Sequence, residues 1–330
     1  MAGIVFSKGS GLNDSVYGAS YEPIKMLIEK KAEAFEQRSF IPAFFVEEQS
    51  DKFGEKLASM TSMNGFKPVG EGGAFPVDNM QEGYSKFLEH ETWKDEFTIT
   101  REMIDDSNTL NMRAKPTAFT QGYYRTRERF AAALVAGAVG TSITFGGKVF
   151  KTTCNDGCAQ FSKVHTSKTG AAANQSNLFT NVFSAADLAL AEAAMQGFKD
   201  DNGYVLDVIP DTIMIPNQGA LKAAVFAAIG ADKDPATSNN GFNFLFGRWN
   251  VIVNPYWTPA VGSPWIVLSG RYNEDNVGAV WFDRMKLTVK AQEDPDTWNM
   301  AWKGMARFTA GFNDWRFAAM GGVADGTTLA

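Results

Sequence analysis

A chain of 330 residues, 45% hydrophobic and 21% charged, carries enough apolar surface for a sizeable core, which excludes an intrinsically disordered protein. Its formal net charge of −6 excludes a surface that grips phosphate throughout, because non-specific nucleic-acid affinity comes from Lys and Arg displacing counterions. Two cysteines, Cys154 and Cys158, cannot supply a disulfide framework for this length, and no apolar run approaches the roughly 20 residues that cross a bilayer.

The opening MAGIVFSKGSGLNDS lacks both the basic and the long apolar regions of a signal peptide, so a cytoplasm-like compartment is expected. Residues 1–20 are rich in Gly and Ser. After Pro23, the spacing of Ile24, Leu27, Ile28 and Phe35 predicts an amphipathic helix of about four turns. Residues 46–96 form a polar stretch with glycines at 54, 65, 70, 72, 73 and 83 and no sustained apolar face. A structureless insertion that long is uncommon in a compact domain, because its backbone needs partners and its ordering entropy needs burial in return. Turn chemistry at Asn64-Gly65, Lys67-Pro68 and Glu71-Gly72-Gly73 predicts a long β-hairpin with a glycine tip, whose partners lie on another chain.

From Trp93 onward, Phe97 and Ile99 alternate with Thr98 and Thr100, predicting a strand that returns to the core before the acidic MIDD turn. Pro116-Thr117 opens the clearest helix, with Phe119, Tyr123, Phe130 and Leu134 in register; over 117–139 it runs ~35 Å. Residues 146–177 read as loop with short strands. A serine cap at Ser184 starts an alanine-rich helix to about Gly197, and Thr212–Ile215, Val251–Val253 and Ile266–Leu268 read as buried strands around a helix at 218–229. In the tail, Met285/Leu287/Val289, Trp298/Met300/Trp302 and Phe308/Ala310/Phe312 carry the period of two of antiparallel strands.

Catalytic signatures are absent: no P-loop, G-x-S-x-G elbow, H-E-x-x-H or EF-hand pattern occurs. Cys154, Cys158 and His165 carry donor atoms, but the C-x-x-x-C spacing is not that of a zinc knuckle and a fourth ligand is missing, so no metal and no cofactor is expected. Paired carboxylates such as Asp105-Asp106 and Asp200-Asp201 read as turns and caps. Arg125, Arg127 and Arg129 form the notable basic cluster; residues 125 and 129 share a helix face while 127 points elsewhere, so the plain reading is a solvated helix edge with an Arg127-Glu128-Arg129 mixture. The sharper reading makes Arg125 and Arg129 anchors for acidic residues of a neighbouring chain.

TITREMIDD at 98–106, RTRERFAAALVAGA at 125–138, KVHTSKTG at 163–170 and FSAADLALAEAAMQGFKDDNGYVLDVIPDTIMIPNQGALKAA at 183–224 together resemble the Mu-like prophage major head subunit family. That family belongs to the tailed-phage major capsid proteins of the Hong Kong 97 fold. The resemblance implies an α+β fold with an N-terminal arm at 1–45, an extended loop at 46–96 and a peripheral domain at 97–177 holding a spine helix at 117–139. An axial domain at 178–280 and a return to the peripheral domain at 281–330 complete it. It also implies a non-enzymatic protein that self-assembles as hexamers and pentamers into an icosahedral shell around double-stranded DNA, without sequence-specific binding and without a membrane. Scaffold, portal and decoration proteins are the further partners, and the virion, assembled in the host bacterial cytoplasm, is the location. The intersubunit contacts expected are Glu71, Gly72, Gly73, Phe75, Glu82, Glu89 and Glu91 of the loop, with Arg125 and Arg129. No long charged helical segment stands before the arm that would read as a fused scaffold, so either a separate scaffold or a scaffold region already absent is expected, and no isopeptide motif is recognisable. The alternatives are the shell of a cellular nanocompartment of the same fold and, from another class, a carboxylate-dependent hydrolase.

Overall fold

The computed structural model describes residues 5–7, 18–60, 63, 65–77, 82–106, 109–230, 243–259 and 262–323. The first third contains β1 (Val5–Ser7), α1 (Gly18–Glu36), α2 (Ile41–Phe44), β2 (Val46–Gln49), β3 (Gly54–Met60), β4 (Glu82–Glu89) and β5 (Glu91–Ile99). Then come α3 (Arg101–Asp105), α4 (Thr109–Ala136), β6 (Ser142–Phe145), β7 (Lys148–Lys151), α5 (Ala185–Gln196), β8 (Thr212–Pro216) and α6 (Gly219–Ile229). The rest is β9 (Asn250–Asn254), β10 (Trp265–Leu268), α7 (Gly270–Asn276), β11 (Ala279–Glu293), β12 (Met300–Phe312) and β13 (Ala318–Gly321).

Two sheets organise these elements. The larger has the order β1-β11-β12-β5, with β2 pairing parallel to the first residues of β11. Its axis is the long β11/β12 antiparallel ribbon, closed by a turn in which Asp294 accepts from Thr297 Oγ1 and its carbonyl accepts from Trp298 N–H. The smaller has the order β13-β10-β8-β9, with α5 and α6 beside it. The tail strand β13 pairs with β10, so the C-terminal segment serves both sheets and not only the one that 281–330 was expected to rejoin.

Helix α4 lies across the large sheet because its apolar stripe meets a row of aromatic rings. Phe97 stacks on Trp302 directly opposite it (5.9 Å, 4°), Trp93 stacks on Phe308 (4.9 Å, 7°), and Phe119 and Phe130 of α4 pack against these rings. Such cross-strand aromatic pairs each contribute ~0.5–1.5 kcal/mol beyond area burial. Gly304 lies under Phe119: a Cβ there would come 2.4 Å from Phe119 Cζ, so only glycine lets the helix approach this closely. The helix starts at Thr109, earlier than the expected 117, and runs through Pro116. The proline forfeits one backbone hydrogen bond, to the carbonyl of residue 112, and is itself buried; one turn on, Thr120 Oγ1 bonds back to the Pro116 carbonyl at 2.9 Å. It also ends at Ala136, short of 139, where Gly137 begins a turn. The acidic MIDD segment is likewise helical, in α3, with Arg101 Nε held by Asp105.

Helix α1 packs on α4 of its own chain, with Phe35 stacked on Tyr124 (5.6 Å) and the Tyr124 hydroxyl donating to Glu36 Oε1 at 3.0 Å. Residues 46–96 are not one hairpin, as expected. Val46–Gln49 is taken by β11, Glu91–Ile99 by β12, and the free hairpin is β3/β4, Gly54–Glu89. The physical reason is the backbone: both flanks find ladder partners within the chain.

The centre of this arrangement is Arg127. Its side chain is 4% exposed, and Nη1 and Nη2 donate to Oδ1 and Oδ2 of Asp283 at 2.7 and 3.0 Å. Tyr123 Oη accepts from Nη1 at 3.2 Å, Glu47 Oε1 stands 3.5 Å from Nη2, and the guanidinium lies over the rings of Trp281 (4.7 Å) and Phe308 (5.3 Å). One charge therefore joins α4, β2, β11 and β12. Burial raises the Glu47 carboxyl above its ordinary value, and Arg127 partly offsets this.

The hairpin base is fastened to the sheet's other face. Leu88 packs on Val280 and Phe282, His90 Nε2 meets Ser50 Oγ at 3.0 Å, and Lys86 Nζ donates to the Thr153 carbonyl at 2.6 Å. Burial lowers the Lys86 ammonium pKa to about 8.

Two outcomes are expected. Asp283→Asn leaves a buried guanidinium without its bidentate partner and with only the more distant Glu47 as counter-charge, and costs the unassembled subunit ~3 kcal/mol or more in urea unfolding, whereas Arg127→Met with Asp283→Leu recovers most of that loss. For Lys86, the folded pKa lies below the unfolded one, so the folded state binds fewer protons and stability rises with pH from about 8 towards 10.5. NMR titration of the Lys86 side chain gives a midpoint near 8, and the pH-dependent gain is missing from Lys86→Met.

Candidate assembly interface

The hairpin leaves the body as a two-stranded ribbon. Gly54 pairs with Glu89 and Met60 with Glu82, with a register shift between Ala58 and Met60. Its described connection, residues 65–77, is exposed throughout. Gly72 adopts φ +75° and the Gly73 N–H donates to the Gly70 carbonyl at 2.9 Å, which places a tight turn at Glu71-Gly72 where the glycines predict it. Around that turn stand apolar side chains that their own chain leaves bare. Phe75 is 95% exposed and Val77 85%, and Phe66, Val69 and Met63 are also uncovered. Scattered exposed hydrophobics are ordinary, but a run of them on one projecting segment marks a contact surface.

The charged residues expected at this surface have different fates. Glu71 is exposed on the turn, and Glu89 is exposed beside the hairpin base. Glu82 pairs with Lys56 across the hairpin at 3.0 Å, both side chains remaining in solvent. Glu91 pairs with Lys148 of β7, which ties the base of the hairpin to the β6/β7 hairpin of the same chain. Exposed pairs of this kind contribute ~0–1 kcal/mol and do not prevent a residue from exchanging partners. Arg125 and Arg129 are exposed one turn apart on α4. No described residue of the same chain forms an ion pair with either.

Arg127 is the correction. The expectation that it points to a solvated edge fails because it falls on the stripe Phe119, Tyr123, Arg127, Phe130, Leu134, the face that α4 buries. Its place in that register was the available signal. The exposed apolar side chains of Phe66, Val69 and Val77 were also not singled out, since isolated apolar residues in a polar, glycine-rich stretch carry no period.

Among the described residues no helix is long and apolar enough to cross a membrane. Residues 83–321 match the sequence profile described as phage capsid protein. No curated protein sequence matches the chain. Among solved structures, a chain of the asymmetric unit of the bacteriophage PhiM1 mature capsid superposes with a TM-score of 0.51 at 8% identity, covering 85% of each chain. Mycobacterium phage Patience gives 0.49 at 10% identity over 100% of this chain and 95% of that one. Mycobacterium phage Adephagia gives 0.48 at 14% identity over 86% and 89%. At such identities a structural likeness speaks to the fold, which is the mixed α+β capsid fold of the Hong Kong 97 type. The profile match extends from the second arm of the hairpin to the last strand of the small sheet, and the chain belongs to the phage capsid protein family.

Proposed function

We infer that this non-enzymatic shell protein is the major subunit of a tailed-phage head, self-assembling into the icosahedral shell that encloses the double-stranded DNA genome. The observation that carries the reading is the projecting β3/β4 hairpin: a firmly anchored base beneath a tip whose apolar side chains its own chain does not cover. Family membership favours a phage head over a cellular compartment and a structural role over hydrolysis.

In this reading the large sheet with α4 is the peripheral domain and the small sheet with α5 and α6 is the axial domain. The hairpin lies over the adjacent subunit, and hexamers and pentamers repeat that contact. Phe66, Phe75 and Val77 are buried against the neighbour, while Glu71, Glu89 or a released Glu82 or Glu91 meets Arg125 and Arg129 there. A closed shell repeats such heterologous contacts around its rotation axes, so each subunit gives and receives one arm. Scaffold, portal and decoration proteins act with it, and assembly takes place in the host bacterial cytoplasm. The DNA is enclosed without sequence-specific binding.

Two variants separate the apolar from the charged contribution. Phe66→Ser with Phe75→Ser is expected to abolish particles in negative-stain microscopy while the subunit keeps its circular dichroism. Arg125→Glu with Arg129→Glu is expected to lower the particle yield with helical content unchanged; shells at the normal yield would remove the two arginines from the interface.

A further inference from the structure

The loop from β7 to α5 folds back so that Asp156, Cys158 and His165 bring a carboxylate oxygen, a sulfur and an imidazole nitrogen within 4.8 Å of one another. Gly157, at φ +81°, makes the turn between the first two, and the Cys158 N–H donates to Asp156 Oδ1 at 3.0 Å. His165 is buried, its ring held flat against Trp315 at 4.2 Å and 8°.

The orientation of that imidazole can be read from its neighbours. Asn177 Nδ2 donates to the carbonyls of Gln160, Trp315 and Ala318, so its amide has one orientation, and its Oδ1 accepts from the Ser162 N–H. Facing that oxygen at 3.1 Å, His165 Nε2 must carry the hydrogen. In the neutral ring Nδ1 is then a bare lone pair, and it faces Asp156 Oδ2 at 2.7 Å. A contact of 2.7 Å is a charge-assisted hydrogen bond, with a proton between the two atoms; a cation taking the place of that proton would spread them to about 3.3 Å at ordinary metal–ligand lengths. The nearby sulfur adds a third donor, which a proton bridge does not use and a borderline-soft metal prefers.

We propose that Asp156, Cys158 and His165 form a binding site for a divalent cation of the zinc type, with Asn177 and Trp315 as positioning residues for the imidazole. The donor set is one oxygen, one sulfur and one nitrogen, and half-buried Cys158 leaves the fourth position open to water. Binding exchanges the thiol proton and the proton shared by Asp156 and His165 for the metal and releases both to solvent. The sequence showed His165 and both cysteines but not that Asp156 completes the set, nor that Cys154 turns away to donate to Gln160 Oε1. Asn177 and Trp315 belong to the segments that connect the two sheets, and Thr153, one residue before Cys154, holds Lys86 of the hairpin. An occupied site would brace the platform on which the hairpin stands.

Cobalt(II) added to metal-free full-length protein tests this directly. The expected result is one equivalent per chain, with the visible bands of four-coordinate cobalt and a near-ultraviolet thiolate charge-transfer band, both displaced by zinc. Cys158→Ser should lose the charge-transfer band and bind about tenfold or more weakly, while Cys154→Ser keeps it. The proposal is overturned if cobalt produces no such bands, if Cys158→Ser retains the charge-transfer band, or if Cys154→Ser alone abolishes it. Nitrogen-15 spectra showing both His165 nitrogens protonated in the presence of excess zinc would assign the bridge to a proton and also overturn it.

Discussion

One buried guanidinium fixes how the helix layer sits on the large sheet. Arg127 cannot leave its position without stranding a charge, and its fork matches only the carboxylate of Asp283, two residues beyond the Trp281 ring it covers. Hydrophobic contact between α4 and the sheet would tolerate sliding by a turn. The bidentate pair does not, because a shift of one residue in either element removes both bonds. Glu47 and the Asp283 backbone add β2 to the same point, so the segment that leads into the hairpin is positioned by the charge that positions the helix.

This is why the base of the hairpin is rigid although its tip is bare. Strands β2 and β5 flank the hairpin in sequence, and each is captured by the β11/β12 ribbon. Leu88 and His90 then cover the sheet face opposite α4, so the ribbon is buried on both sides where Val280, Phe282 and Gly311 lie. The tip has no comparable cover among the described residues, and burial of its apolar side chains is left to another molecule. A contact of that kind transfers part of the stability of each subunit to the assembled shell.

Much of this architecture is legible in the residues because local patterns dominate it. The stripe of α4, the Ser184 cap of α5 and the alternation of β12 each follow from a single period or motif, and the structure reproduces them. The features that escaped depend on distant partners. Val46–Gln49 reads as loop because its pairing residues lie more than 230 positions away in β11, and Ala318–Gly321 reads as tail because its partner is Trp265–Leu268 of the other sheet. Arg127 looked solvated because charge was weighed before register. Asp156 was not singled out in a stretch that reads as loop, and only the fold brings His165 back to it.

The strand β13 adds an order of events to this arrangement. Until Ala318–Gly321 exists, β10 is an open edge whose backbone groups lack partners and whose Trp265 lacks the Gly321 surface that covers its indole. The small sheet is therefore completed only by a strand made after all of its others. A nascent chain cannot present a finished small sheet to a growing lattice before β13 has been translated, so a product that stops short of that strand is kept out of the shell by topology alone.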